Sequence, residues 1–184
     1  DAADHLIRDR KDGDFIAASI LAWSTRYINF MGEATLEADE GVVKVVETDE
    51  GLYTNRVYTG KHILRADEPV SVEGGLGTGP SPYDYILVAL GSCTSMTLRM
   101  YANLKGIPLV AVKVDLSHKK IHGTDCKDCP DKHPMIDVIT RDIELVGDLT
   151  LEQKAKLLEI ANKCPVHRTL QGEVQINSSL KGEE

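Results

Sequence analysis

Residues 79–106, GPSPYDYILVALGSCTSMTLRMYANLKG, constrain this chain more than any other stretch. Ser81 stands where an N-cap belongs. Pro82 suits the first helical turn, and Asp84 follows Ser81 at the capping-box spacing. From there the run stays almost entirely apolar until Arg99, and Gly106 with Pro108 beyond it ends the helix. Its apolar residues are not confined to one face. The expectation is therefore a long central helix, buried on most sides. Gly91 inside it permits a kink or a close approach by another element.

The elements around this helix read clearly. Residues 12–29 place Phe15, Ile16, Ser19, Ile20, Trp23 and Tyr27 near helical spacing, which predicts an amphipathic helix. From Met31 to Ala66 the segments ATLEADE, VVKVVETD, YTNRVYTG and HILRAD alternate apolar and polar residues between glycine-bearing turns, as a strand meander does. Residues 68–82 form a Gly/Pro-rich loop. After the central helix, 109–121 and 135–146 alternate as strands. Thr150 and Gln153 then make a second capping box, which opens a helix that Pro165 stops. GEVQINSSL reads as a last strand. The grouping of strands and helices predicts an α+β fold with an antiparallel sheet. We divide the chain into an N-terminal helical extension, 1–30, and a main domain, 31–184.

Charge and hydropathy remove several functions. The formal net charge is −8, so no basic surface is offered to nucleic-acid phosphates. No apolar run approaches the ~20 residues of a membrane span. The polar start DAADHLIRDRKDGDF lacks the apolar core of a signal peptide, and a cytoplasmic location is expected. The chain opens on Asp1 and not on Met, as a fragment or processed form would.

Four cysteines remain to be explained: Cys93, Cys126, Cys129 and Cys164. Cys93 lies within the central helix, where a thiol commonly packs as a small core residue. Against that, Ser92, Thr94 and Ser95 flank it with hydroxyls, and a break at Gly91 would bring helix N–H donors to it. Cys164 lies at a helix end in NKCPVHRTL, near His167 and Arg168. A cation beside a thiol lowers its pKa, but Arg168 is equally readable as a solvated side chain. Sequence spacing alone does not bring Cys93 and Cys164 together. The loop HKKIHGTDCKDCPDKHP gathers His118, His122, Cys126, Cys129 and His133. A single C-x₂-C pair with flanking histidines fits three readings: a zinc site, an exposed redox pair and a solvated loop.

GPSPYDYILVALGSCTSMTLRMYA, followed some seventy residues later by CPVHRTL, resembles the OsmC/Ohr family of thiol-dependent peroxidases, in element order over about residues 31–181. The resemblance implies an intertwined homodimer whose sheets wrap paired central helices, with active sites at the dimer interface. It implies that Cys93 attacks a small apolar organic hydroperoxide and that Cys164 closes a disulfide, which a dithiol reductant reopens. No cofactor is implied, because the thiols carry the chemistry. The peroxidase branches have a glutamate just after the proline that opens the central helix. Tyr83 stands there in this chain, and Asp84 is the nearest carboxylate. They also set an arginine against the reactive thiol, for which Arg56 and Arg65 are the candidates, Arg56 first. These departures are closer to a less characterised branch. They leave a second reading, a non-catalytic small-ligand-binding or oligomerisation module. The N-terminal DAADHLIRDRKDGDFIAASILAWSTRYI resembles the tail of an α/β-hydrolase, as in hydrolase–OsmC fusions, with His5 in the place of a triad histidine. No G-x-S-x-G nucleophile elbow accompanies it.

Overall fold

The computed structural model describes residues 10–24, 38–122 and 135–181. They form two compact units. One takes in the described residues up to Glu47 together with Arg56–Leu64. The other takes in Thr48–Asn55 and the chain from Arg65 onward.

The first unit holds α1 (Arg10–Ser24), β1 (Val43–Glu47) and most of β2 (Asn55–Thr59) and β3 (His62–Ala66). β1, β2 and β3 form a sheet in that order, which is the predicted meander. α1 coincides with the predicted amphipathic helix over its described length. Phe15, Ile20 and Trp23 are exposed on it. Of the predicted strand ATLEADE, residues 34–37 lie outside the described residues, as does Tyr27, and Ala38–Glu40 form no strand.

The second unit is built on α2 (Pro82–Lys105), β4 (Leu109–His122), β5 (Met135–Gly147), α3 (Leu151–Ala161) and α4 (Pro165–Gln171). Both predicted capping boxes are formed. Ser81 and Asp84 start α2, and Thr150 and Gln153 start α3. Gly106 ends α2 in the left-handed conformation at φ 63°. β4 and β5 pair antiparallel along their whole length, from Leu109 opposite Gly147 to His122 opposite Met135. The ladder slips by one residue between Leu109 and Ala111. Arg99 of α2 donates to the carbonyls of Leu109 and Val110 there, so the irregular backbone keeps its hydrogen bonds. Gly147 holds φ 149° with Pro108's carbonyl oxygen 2.2 Å from where a Cβ would stand, so only glycine fits this end of the hairpin.

Leu98 and Ala102 of α2, Leu109 of β4, and Leu157 and Ala161 of α3 form the buried core. α2 runs unbroken through Gly91. Of the two possibilities for Gly91, the helix therefore realises close packing: an added Cβ would come within 2.8 Å of Leu116 Cδ1 on β4. Burial of α2 differs from expectation. Only the row Leu90, Thr94, Leu98, Ala102 is buried, and Val88, Met96, Met100 and Leu104 are exposed. The described residues of one chain cover one side of this helix.

Two differences concern the C-terminal part. α3 ends at Ala161 with Asn162 as C-cap, short of the predicted stop at Pro165, and Pro165 is instead the first residue of α4, with Cys164 as N-cap. The ring that cannot continue one helix is pre-set for the first turn of the next. GEVQINSSL joins no ladder, and Val174, Ile176 and Leu180 are exposed along it. The alternation is real, but no strand edge among the described residues pairs with it.

Candidate active site

The Gly-rich loop before α2 is organised by Asp67, which is buried. Its Oδ2 accepts from the N–H and hydroxyl of Thr78 at 3.0 and 2.7 Å, and its Oδ1 accepts from the N–H of Glu68 at 2.8 Å. The Thr78 backbone bond, then its hydroxyl, holds this carboxyl below its ordinary range. The loop so fixed delivers the chain to Ser81 and the start of α2. Tyr85, one turn in, donates its hydroxyl to the Arg65 carbonyl.

Tyr83 follows Pro82 in the first turn of α2. Its ring stacks on the His118 imidazole of β4, centroids 4.4 Å apart and planes 11° from parallel. His118 Nε2 lies 2.7 Å from Asp137 Oδ1 on β5. Lys120 reaches both the Tyr83 ring face and the Asp137 carboxylate. Asp84 Oδ2 accepts from the backbone N–H and the hydroxyl of Ser81, at 2.8 and 2.7 Å. The hydroxyl bond, then the backbone bond, lowers its pKa. The cap accounts for every hydrogen bond of Asp84. Nine residues of helix separate it from Cys93, roughly 13 Å of rise, so it does not touch that thiol.

Cys93 is partly buried on α2. With α2 continuous across Gly91, its neighbourhood is mid-helix and offers it no free helix N–H donors. Two of the flanking hydroxyls are also engaged. Ser92 donates to Val88 and Thr94 donates to Leu90, both at 2.7 Å. Cys164 is fully buried. Its Sγ accepts from the His167 N–H at 3.4 Å and lies 3.8 Å from Thr94 Oγ1. The structure thus brings Cys164 onto the helical turn that bears Cys93, and the side chain in contact is that of Thr94.

Thr94 has a further partner. Arg141 of β5 donates from Nη1 to Thr94 Oγ1 at 2.8 Å and to the Ala161 carbonyl at 3.3 Å. Its Nη2 donates to Asn162 Oδ1 at 2.7 Å. The Thr94 proton is committed to Leu90, so this hydroxyl accepts from Arg141 and has one lone pair left for the Cys164 S–H. Arg141 thus ties Thr94, which meets the Cys164 sulfur, to the end of α3.

Sequence reading missed Arg141, and it named Thr94 only as a hydroxyl beside Cys93, not as the partner of Cys164. Arg141 shares a strand face with Ile139, Ile143 and Leu145, and is the charged residue set between them. That break in the alternation is the signal that was available. Arg168, beside Cys164 in sequence, is exposed. Arg65 forms an ion pair with Glu50. Arg56 lies on β2 in the first unit and is half-buried. Cys126, Cys129 and His133 lie outside the described residues, as do the His122 side chain and His5. Among the described residues no cluster of three metal-ligating side chains occurs.

Solved structures share this fold. An OsmC-like protein from Mycoplasma pneumoniae superposes with a TM-score of 0.57 at 17% identity, covering 73% of this chain and 90% of that one. The OsmC of Legionella pneumophila, described as an organic hydroperoxide resistance protein, gives 0.52 at 19%, covering 71% and 88%. A hypothetical protein from Aquifex aeolicus VF5 gives 0.52 at 20%, covering 71% and 86%. Among curated proteins, none matches the chain. Residues 75–179, from the Gly-rich loop to the extended C-terminal segment, match the OsmC-like protein family. That is more than half of the sequence, and the chain belongs to this family.

Proposed function

We propose that this protein is a thiol peroxidase that reduces small apolar organic hydroperoxides as a homodimer. In this mechanism the Cys93 thiolate attacks the terminal peroxide oxygen. The O–O bond breaks, the alcohol leaves with a proton, and Cys93 becomes a sulfenic acid. The Cys164 thiol then displaces water from it and forms the Cys93–Cys164 disulfide. A dithiol reductant returns both thiols by exchange. The observation that carries this reading is the packing of the Cys164 sulfur against Thr94, the residue next to Cys93. Asp84 and Arg56 enter as positioning residues, with Asp84 acting through an arginine and not on the thiol itself.

The homodimer reading is supported by the uncovered side of α2, where Val88, Met96, Met100 and Leu104 are exposed, and by the unpaired alternation of Val174, Ile176 and Leu180. A second copy would cover the one and pair with the other. No described helix is long and apolar enough to cross a membrane. A cytoplasmic setting goes with the proposal, since that compartment keeps thiols reduced between turnovers. The likeness of the N-terminus to a hydrolase tail adds a proposed origin in a fusion protein.

A second reading, a small-ligand-binding module without peroxidase activity, is favoured by one observation. Tyr83, in the glutamate position, is occupied in stacking on His118. The experiment that separates the two treats fully reduced protein with one equivalent of an organic hydroperoxide and maps disulfides by non-reducing peptide mass spectrometry. The peroxidase reading requires a fast Cys93–Cys164 bond that is absent in Cys93→Ser. Thiols that stay reduced for hours overturn it, and a bond confined to Cys126 and Cys129 moves the redox chemistry to the loop.

A further inference from the structure

A cleft of about 420 Å³ opens beside the Cys164 cluster, between the inward face of β5 and the ends of α3 and α4. Its volume is within the ~300–1,000 Å³ of small-molecule sites. Leu90, Ile139 and Leu170 give it an apolar side, and Arg141, Asn162 and His167 a polar one.

Arg141 is the unusual member. It is half-buried, in a chain of net charge −8. Yet all three of its hydrogen bonds go to neutral acceptors: a threonine hydroxyl, a backbone carbonyl and an asparagine amide oxygen. No described carboxylate lies within ion-pair distance of it. Asp137, the acid that also lines the cleft, is taken by His118 and Lys120. A guanidinium drawn partly out of water without a counter-charge is costly, and one that lines a cleft is available to an anion. Five N–H donors less the three in use leave two, enough for the two-point hold that arginine gives a carboxylate.

We propose that this cleft binds a small organic carboxylate, anchored on Arg141 with its apolar part against Leu90, Ile139 and Leu170. The site is independent of the peroxidase reading. It is also coupled to Cys164, because the guanidinium that would hold the ligand is bonded to Thr94, and Thr94 touches the sulfur. Cys164 is reached from solvent only when this region opens, and a ligand bound to the closed form reduces the open fraction by 1 + [L]/Kd.

The test uses the full chain, with phenylpropionate as probe and its neutral isostere phenylpropionamide as control. Calorimetry is expected to show the carboxylate binding at least tenfold more tightly than the amide. Arg141→Lys keeps the charge but loses the fork, and is expected to lose at least tenfold in carboxylate affinity while leaving the amide unchanged. At ten times Kd, phenylpropionate is expected to slow alkylation of Cys164, read at its own peptide, about tenfold. Equal binding of acid and amide overturns the proposal, as does no binding of the acid or undiminished binding by Arg141→Lys. The acid–amide comparison is made on the unaltered chain, so it decides the matter even if the variant misfolds.

Discussion

The two sides of α2 carry similar residues and meet opposite fates. Leu90, Thr94, Leu98 and Ala102 recur every four residues and are buried. Val88, Met96, Met100 and Leu104 lie on a row offset by two positions, about 200° around the helix, and are exposed. Hydropathy does not distinguish the rows, since methionine and valine are as apolar as leucine and alanine. What distinguishes them is what the described residues place opposite: β4, α3 and α4 against the buried row. Cys93 falls between the rows, about 100° from Thr94 and about 100° from Ser92, at the edge of the covered side. A thiol at that edge is shielded by its own chain and bounded by whatever covers the other face. Under the dimer proposal, that cover is a second copy.

The largest effect is expected on the covered row. Leu98 is 0% exposed and packs in the cluster with Leu157 and Ala161. Leu98→Ala should cost roughly 2–5 kcal/mol in urea unfolding, the range for a truncated core leucine whose cavity does not collapse. A cost within the ±0.5 kcal/mol typical of surface changes would mean that this side of α2 is no more covered than the other.

Thr94→Val comes next and tests the polar member of that row. Valine keeps the shape but cannot accept from Arg141 or serve the Cys164 thiol. The expected loss is about 1–3 kcal/mol, because a half-buried guanidinium donor is left without its acceptor. The neighbouring Cys93→Ser should cost less than Thr94→Val, since no hydrogen bond depends on Cys93. Equal losses in urea unfolding would erase the distinction between the consecutive positions.

Much of this was legible from residues alone. Ser81 with Asp84 and Thr150 with Gln153 announced both capping boxes, because a cap is made within four residues and needs nothing distant. β4 and β5 were readable from strict alternation. The site was legible in part. The cysteine motifs marked the right segments, but the side chain that meets Cys164 is Thr94, and helical rotation decides that. Arg141 was missed because an arginine in an alternating strand reads as solvent-facing unless its parity is compared with Ile139 and Ile143. GEVQINSSL read as a strand because alternation reports a side-chain pattern and not whether a partner edge is present.

The cap gives a smaller effect that serves both rows, since it starts the helix they share. Ser81→Ala should cost about 1 kcal/mol. It also has a pH signature. Asp84 is held below the ordinary aspartate value of 3.8 by its Ser81 bonds. A lowered carboxyl contributes stability that is complete above the unfolded value and is lost as pH falls through the folded one. Asp67, lowered by Thr78, titrates in the same sense. Glu159, held down to about 2 by Lys156 and Lys163, adds to this dependence. Acid titration followed by circular dichroism should show stability falling below about pH 4, and Ser81→Ala should remove part of that dependence while Asp67 and Glu159 keep the rest. A variant with the wild-type acid profile would mean that the cap does not hold Asp84 low.

The smallest effect on the protomer is expected from Met100→Lys, on the open row. Met100 is 65% exposed, and lysine has good helix propensity, so stability measured at protein concentrations low enough to dissociate any dimer should change by less than about 0.5 kcal/mol. Association should respond in the opposite way. A charge set in an apolar interface must be desolvated without a partner, and a penalty of only about 1.4 kcal/mol raises a dissociation constant tenfold. Sedimentation across a concentration series should therefore find the variant dissociating at least tenfold more readily than the parent. Leu98→Ala, by contrast, loses stability at every concentration. If Met100→Lys left the association state unchanged, the exposed row would not be the contact between copies, and the edge position of Cys93 would have to be explained by the protomer alone.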